Sequence, residues 1–170
     1  MPTYSQITTT TITTSNTTTS ITFNSLGSYT DLFIIAYTQG SRSIYGGDNH
    51  VRFNGDSGNN YNNGFIRSSS AGTNTSNYTP VSEINTGGGM GGTGTNNFGL
   101  YYMWLPNYRS TSINKTIHAF NAAAGTESIG QDYSVGRWNN TAAITSITFS
   151  AGGYTYQAGT VFSLYGITAA

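Results

Sequence analysis

Apolar residues recur at every second position in several short stretches of this chain, which is the period of a β-strand. Ile21 and Phe23 flank Thr22, and Ile147 and Phe149 flank Thr148. Leu32, Ile34 and Ala36 share one face of a run whose other face carries Phe33, Ile35 and Tyr37. The same doubling recurs at NFGLYYMWLPNY. Tyr101, Met103 and Leu105 share one face there, and Phe98, Leu100, Tyr102 and Trp104 share the other. Near the C-terminus, Phe162 and Leu164 point one way and Val161, Tyr165 and Ile167 the other. Shorter alternations occur at Ile117, Ala119 and Phe120, and at Tyr133 and Val135.

Strands that are apolar on both faces need something packed over each face. In a two-layer sandwich the outward face is normally wet. The runs Leu32–Tyr37, Phe98–Leu105 and Val161–Ile167 therefore predict a covered outer surface. If these strands are neighbours, one face of each fills the sandwich. The other presents Phe33, Ile35, Tyr37, Tyr102, Trp104, Val161 and Tyr165 as one patch, the candidate interface to a second copy or another partner. A long loop folded over the sheet is the competing cover. The aromatic density of Phe98–Trp104 also suits a stacking platform for sugars.

Turn residues separate the runs. Asn54-Gly55 is a tight-turn signal, Gly152-Gly153 permits positive φ, and Pro106-Asn107 ends a strand. The threonine-rich start predicts strands near residues 6–13 and 18–24, because β-branched Thr favours strands over helices. Residues 1–16 read as an N-terminal arm or an edge strand. Residues 62–94 read as the loosest region, with short strands at 65–67 and 81–84 and a surface glycine run at 87–94. That run matches a dinucleotide fingerprint only trivially, lacking the strand before and the helix after it. Eight to eleven short strands and no helix of consequence predict an all-β chain. The expected architecture is a single antiparallel β-sandwich of jelly-roll type over residues 1–170.

Composition narrows the chemistry. Charged residues are 7% of 170, with six of each sign and a formal net charge of +0. Phosphate binding needs clustered Lys and Arg, so nucleic acid is not the expected partner. No apolar run reaches membrane-spanning length, and the N-terminus shows no secretory signal pattern. With no cysteine, thiolate metal sites and disulfides are excluded. Asp48 and Asp56 bracket an oxygen-rich loop, but Ca²⁺ takes six to eight oxygens, several of them carboxylate. The expectation is therefore no metal and no cofactor. His50 and His118 lie far apart, and Asp31, Asp48, Asp56, Glu83, Glu127 and Asp132 are scattered singly. No nucleophile elbow or paired metal-binding histidines occur, so the chain does not read as an enzyme.

Several stretches resemble a group of tailed-phage virion proteins, common in phages of aquatic bacteria, cyanophages included. They are YTDL at 29–32, VRFNGDSGNNY at 51–61, LPNY at 105–108, WNNTAAITSI at 138–147 and the ending LYGI at 164–167. The resemblance implies a jelly-roll module of the virion, often assembled as a trimer, with no catalytic residues to carry over. It implies a capsid decoration or cement protein that binds the outer capsid surface, or alternatively a glycan-binding receptor tip of a tail or head fibre. The lack of heptads, collagen-like repeats and a separate anchor favours decoration. The expected partners are copies of itself in a homotrimer and other virion proteins, with host surface glycan for the fibre alternative. The expected location is the virion, assembled in the host cytoplasm and released by lysis.

Overall fold

A computed structural model describes residues 1–42, 47–70, 72–93, 97–124 and 129–169. Among these, the strands in chain order are β1 (Thr3–Thr11), β2 (Ser20–Phe23), β3 (Asp31–Thr38), β4 (His50–Phe53), β5 (Tyr61–Ser69) and β6 (Gly72–Val81). They continue with β7 (Ile84–Asn85), β8 (Gly99–Leu105), β9 (Lys115–Ala124), β10 (Ile129–Trp138), β11 (Ile147–Ser150) and β12 (Val161–Thr168). No described residue is helical. The strands form two packed antiparallel sheets, so the chain is an all-β sandwich. The large sheet runs β1-β12-β3-β8-β9-β10-β5-β6 and the small one β2-β11-β4-β7.

The core forms where the period-2 pattern places it. Leu32, Ile34, Tyr101, Met103, Leu105, Phe162 and Leu164 face inward from the large sheet with no exposed surface. Val51, Phe53, Ile147 and Phe149 meet them from the small sheet, equally buried. Phe149 is the hub: its ring lies 5.1 Å from Phe162, 5.9 Å from Tyr101 and 6.2 Å from Phe23, the last two edge-on. Full burial of each such side chain contributes about 1.5–3 kcal/mol.

The turns follow their residues. Asn54 and Gly55 both have positive φ, 54° and 67°, as a tight turn of this kind requires. The Asn54 amide then joins that turn to the segment before β11. Its Oδ1 accepts from Thr145 N at 2.7 Å and its Nδ2 donates to Ala143 O at 2.9 Å. The N-terminal segment is an edge strand: β1 pairs only with β12, leaving its other side open. The last strand, β12, is interior, held between β1 and β3.

The described residues between 62 and 93 depart from expectation. They are not loose. Tyr61 to Val81 form the long β5–β6 hairpin, and the glycine run folds inward, with Gly87 to Gly92 all buried. Glycine is what allows this approach. A Cβ at Gly87 would strike the Asp132 carboxylate, and one at Gly89 would strike the Asn121 amide. The segment packs on the inner face of β9, β10 and β5, beside β7 of the small sheet. A long covering loop therefore exists, but it covers an inner face.

Candidate functional site

β12, β3 and β8 are neighbours, and their register brings the seven predicted interface residues together. Tyr165 lies opposite Phe33, and Phe33 opposite Trp104. Ile35 lies opposite Tyr102, and Val161 opposite Tyr37. All seven point away from the core, with Tyr37 56% and Trp104 44% exposed. Phe33 and Tyr102 stack at 6.1 Å with 15° between their rings.

The patch continues further than the sequence reading extended it. Tyr102 pairs with Phe120 on β9, Phe120 with Tyr133 on β10, and Tyr133 with Ile66 on β5. One row therefore crosses five strands as Ile35, Tyr102, Phe120, Tyr133 and Ile66. Tyr133, Val135 and Ile66 are each more than half exposed. Phe33, Tyr102, Trp104, His118 and Phe120 line a shallow groove of about 230 Å³ in this face. Among the described residues of this face, charge enters near one end, with Asp31 on β3 and Arg137 on β10. Asp31 accepts from Trp104 Nε1 at 3.2 Å and from Asn107 N at 2.9 Å.

The alternation at Tyr133 and Val135 predicts a strand but is silent on which set faces the core. On β10 the polar set does. Asp132 and Ser134 are each 1% exposed, and Asn121 on β9 is fully buried. Buried polar groups need partners, and the glycine segment supplies many of them. Arg67 grips Asp132 bidentately, Nε to Oδ1 at 2.8 Å and Nη2 to Oδ2 at 2.7 Å. Gly88 N also donates to Asp132 Oδ2. Ser134 Oγ donates to Thr86 O at 3.1 Å, and Asn121 Nδ2 donates to the same carbonyl. Paired inward polar residues leave Tyr133 and Val135 outward.

The candidate loop carboxylates separate in space. Asp56 closes its own turn, accepting from Gly58 N at 2.9 Å, from Asn60 Nδ2, and from Trp138 Nε1 at 2.7 Å. Burial raises the Asp56 pKa, but these three donors together outweigh it and hold the carboxyl below its ordinary value. Asp48 turns the other way, to Arg67 Nη2 at 3.4 Å and Asn85 Nδ2 at 3.0 Å. Asp48 and Asp132 thus converge on one guanidinium, so these two are not isolated as the sequence suggested. Glu83 joins His50 Nδ1 at 2.6 Å and Arg52 Nη2 at 3.1 Å. Glu127 lies outside the described residues. His118 faces outward against Tyr133, ring to ring at 4.4 Å. Among the described residues, no cluster of three or more His, Asp or Glu is placed to hold a metal.

The small sheet offers a contrast. Its outward residues are Ser20, Thr22, His50, Arg52, Thr148 and Ser150, and Thr22 and Thr148 share a hydroxyl hydrogen bond at 2.9 Å.

No family model matches the chain, and no curated protein matches it. Among solved structures, the core of Drosophila NLP, a protein described for pentamer formation and histone binding, aligns over 100% of this chain and 98% of its own. The identity is 9% and the TM-score 0.23, an overlap too low to carry a likeness of fold or function.

Proposed function

We propose that the protein is a structural component of a tailed-phage virion, a decoration or cement protein that binds the outer capsid surface and stabilises the shell. The observation that carries this reading is the outer face of the large sheet. It is broad, aromatic and nearly uncharged, the composition of an interface centre, where aromatics are enriched and charge is depleted. Monomers rarely leave apolar patches beyond a few hundred Å² uncovered. Near-zero net charge removes the self-repulsion that would oppose dense packing of copies. The resemblance of the stretches at 29–32, 51–61, 105–108, 138–147 and 164–167 to virion proteins supplies the particle as the place of assembly.

The test is reconstruction of intact particles, with mass-spectrometric quantification of purified virions. The reading expects density on the capsid lattice and a copy number comparable to that of the major capsid protein. Absence from the particle would overturn it.

The aromatic groove beside Trp104 favours a second reading, a receptor-binding fibre tip that stacks glycans on Trp104 and Tyr102. That reading expects few copies at tail or vertex positions, and a Trp104 fluorescence change on titration with host surface oligosaccharide. No change, with density confined to the lattice, would dispose of it.

A further inference from the structure

We infer that the outer face of the large sheet is closed by a second copy of this chain, about a two-fold axis parallel to the strands and passing between β8 and β9. This goes beyond the virion reading and does not depend on what the assembled protein binds.

The register fixes which positions such an axis would superpose. It exchanges β8 with β9, β3 with β10, and β12 with β5, because these pairs lie symmetrically in the strand order. Each cross-strand row then meets the same row of the other copy. An isologous contact must be complementary to itself, and this face is. Its two halves differ in size and match in position. In the rows of Leu100 and Trp104 the β12-β3-β8 half carries the larger side chains and the β9-β10-β5 half the smaller ones, while the middle row is large on both β8 and β9.

In the row of Leu100, the rotation lays Leu100 over Ala122, Tyr37 over Gln131, and Val161 over Ser68. Ser68, Leu100, Ala122 and Gln131 line a recess of about 390 Å³. Tyr37, 56% exposed, stands directly over it in the paired copy. In the row of Trp104, Tyr165 falls over Gly64 and Phe33 over Val135. Gly64, Val135 and Arg137 line a second recess, of about 360 Å³. In the middle row, Tyr102 meets Phe120 and Ile35 meets Tyr133. At the sheet end, Asp31 on β3 falls opposite Arg137 on β10, so the charges of this row meet as opposites.

The size is sufficient. Six strands at ~4.8 Å and four rows at ~6.7 Å give a face of roughly 29 by 27 Å. That is on the order of 800 Å² per copy, what a stable interface of standard size uses. Strands related by this axis run in the same direction, compatible with aligned sheet packing at about 30°.

The chain has no cysteine, so pairs can be introduced cleanly. Packed sheets lie ~10 Å apart, too far for a disulfide but within reach of a short bismaleimide. Two double variants test the pairing: Tyr37→Cys with Gln131→Cys, and Val161→Cys with Ser68→Cys. The result expected is a dimer by sedimentation at micromolar concentration, and a covalent dimer from each double variant. Each single variant should cross-link at least tenfold less, because its own mate lies further to the side: three strand spacings, ~14 Å, for Tyr37 and Gln131, and five, ~24 Å, for Val161 and Ser68. Tyr102→Arg should sediment as a folded monomer, with its cooperative melt retained. A parent that is monomeric at these concentrations would overturn the inference. So would a trimer, as the virion resemblance implies, or single variants that cross-link as well as the doubles.

Discussion

The two outward faces of one sandwich differ completely. The small sheet turns Ser20, Thr22, Arg52, Thr148 and Ser150 to the surface, and its threonines bond to each other across strands. The large sheet turns out Ile35, Tyr102, Phe120, Tyr133 and Ile66 in a single row. Both faces come from the same chain, poor in charge and rich in Thr and Tyr, so composition does not explain the difference. The small sheet has the ordinary wet face of an antiparallel layer. The large sheet has a second face built like a core and left without a cover among the described residues. On β10 this goes as far as exchanging sides: polar Asp132 and Ser134 are inside, and Tyr133 and Val135 are outside. An arrangement that buries a carboxylate while exposing two apolar side chains gains from its outward face only when that face is covered.

The largest expected effects separate inner faces from outer ones. Phe149→Ala should lower unfolding free energy by about 3–5 kcal/mol, read from the denaturant midpoint, because it empties the centre of the ring cluster. Phe120→Ala, on the other side of the large sheet, should cost under about 1.5 kcal/mol in the dissociated chain. Equal costs would erase the distinction between the faces.

The inverted strand supplies the next test. Arg67→Met should cost about 3–5 kcal/mol, because it leaves the Asp132 carboxylate buried without its bidentate partner. Arg67→Met with Asp132→Leu should recover most of that loss in a chemical denaturation series. A double variant no better than the single one would mean that the pair does not act as a unit.

Much of this organisation was legible in the alternation of residues. The faces of β3, β8 and β12 follow directly from period 2, and their outward sets prove to be adjacent. What alternation cannot supply is which set is inward when the polar set has partners elsewhere. The partner of Asp132 is Arg67, 65 residues earlier, and its other donor is the Gly88 amide. Neither pairing leaves a local mark, so Phe120, Tyr133 and Ile66 did not announce themselves as part of the patch. The glycine run misled for a similar reason. Glycine-rich sequence reads as surface loop, yet here the missing side chains let backbone pack against Asp132 and Asn121.

A charge on each outward face gives a smaller, sharper contrast. Tyr37→Arg should weaken self-association at least tenfold, about 1.4 kcal/mol, in a sedimentation dilution series. Thr148→Arg on the small sheet should leave it unchanged. If both variants weaken association alike, the large face is not special.

The smallest effect belongs to the polar rim of the small sheet. The His50 hydrogen bond, opposed by burial and aided by the charges of His50 and Arg52, holds the Glu83 carboxyl below its ordinary 4.5. A lowered folded-state pKa stabilises the fold above 4.5, and that contribution is lost as pH falls through the depressed value. The group is partly solvated, so less than about 1 kcal/mol is at stake. Glu83→Gln should therefore lower the melting temperature slightly at pH 7 and leave it nearly unchanged at pH 3. An equal drop at both pH values would contradict the assignment.

The central claim, that the outer face of the large sheet is covered in solution, is read most directly by tryptophan quenching. The chain has two tryptophans: Trp138, 1% exposed in the core, and Trp104, 44% exposed on the outer face. At micromolar concentration, acrylamide should quench neither appreciably. In the Tyr37→Arg variant, or on dilution, one emitting component should become quenchable while the other stays protected. Trp104 emission as accessible in the concentrated parent as in the dissociated variant would show that nothing covers the face.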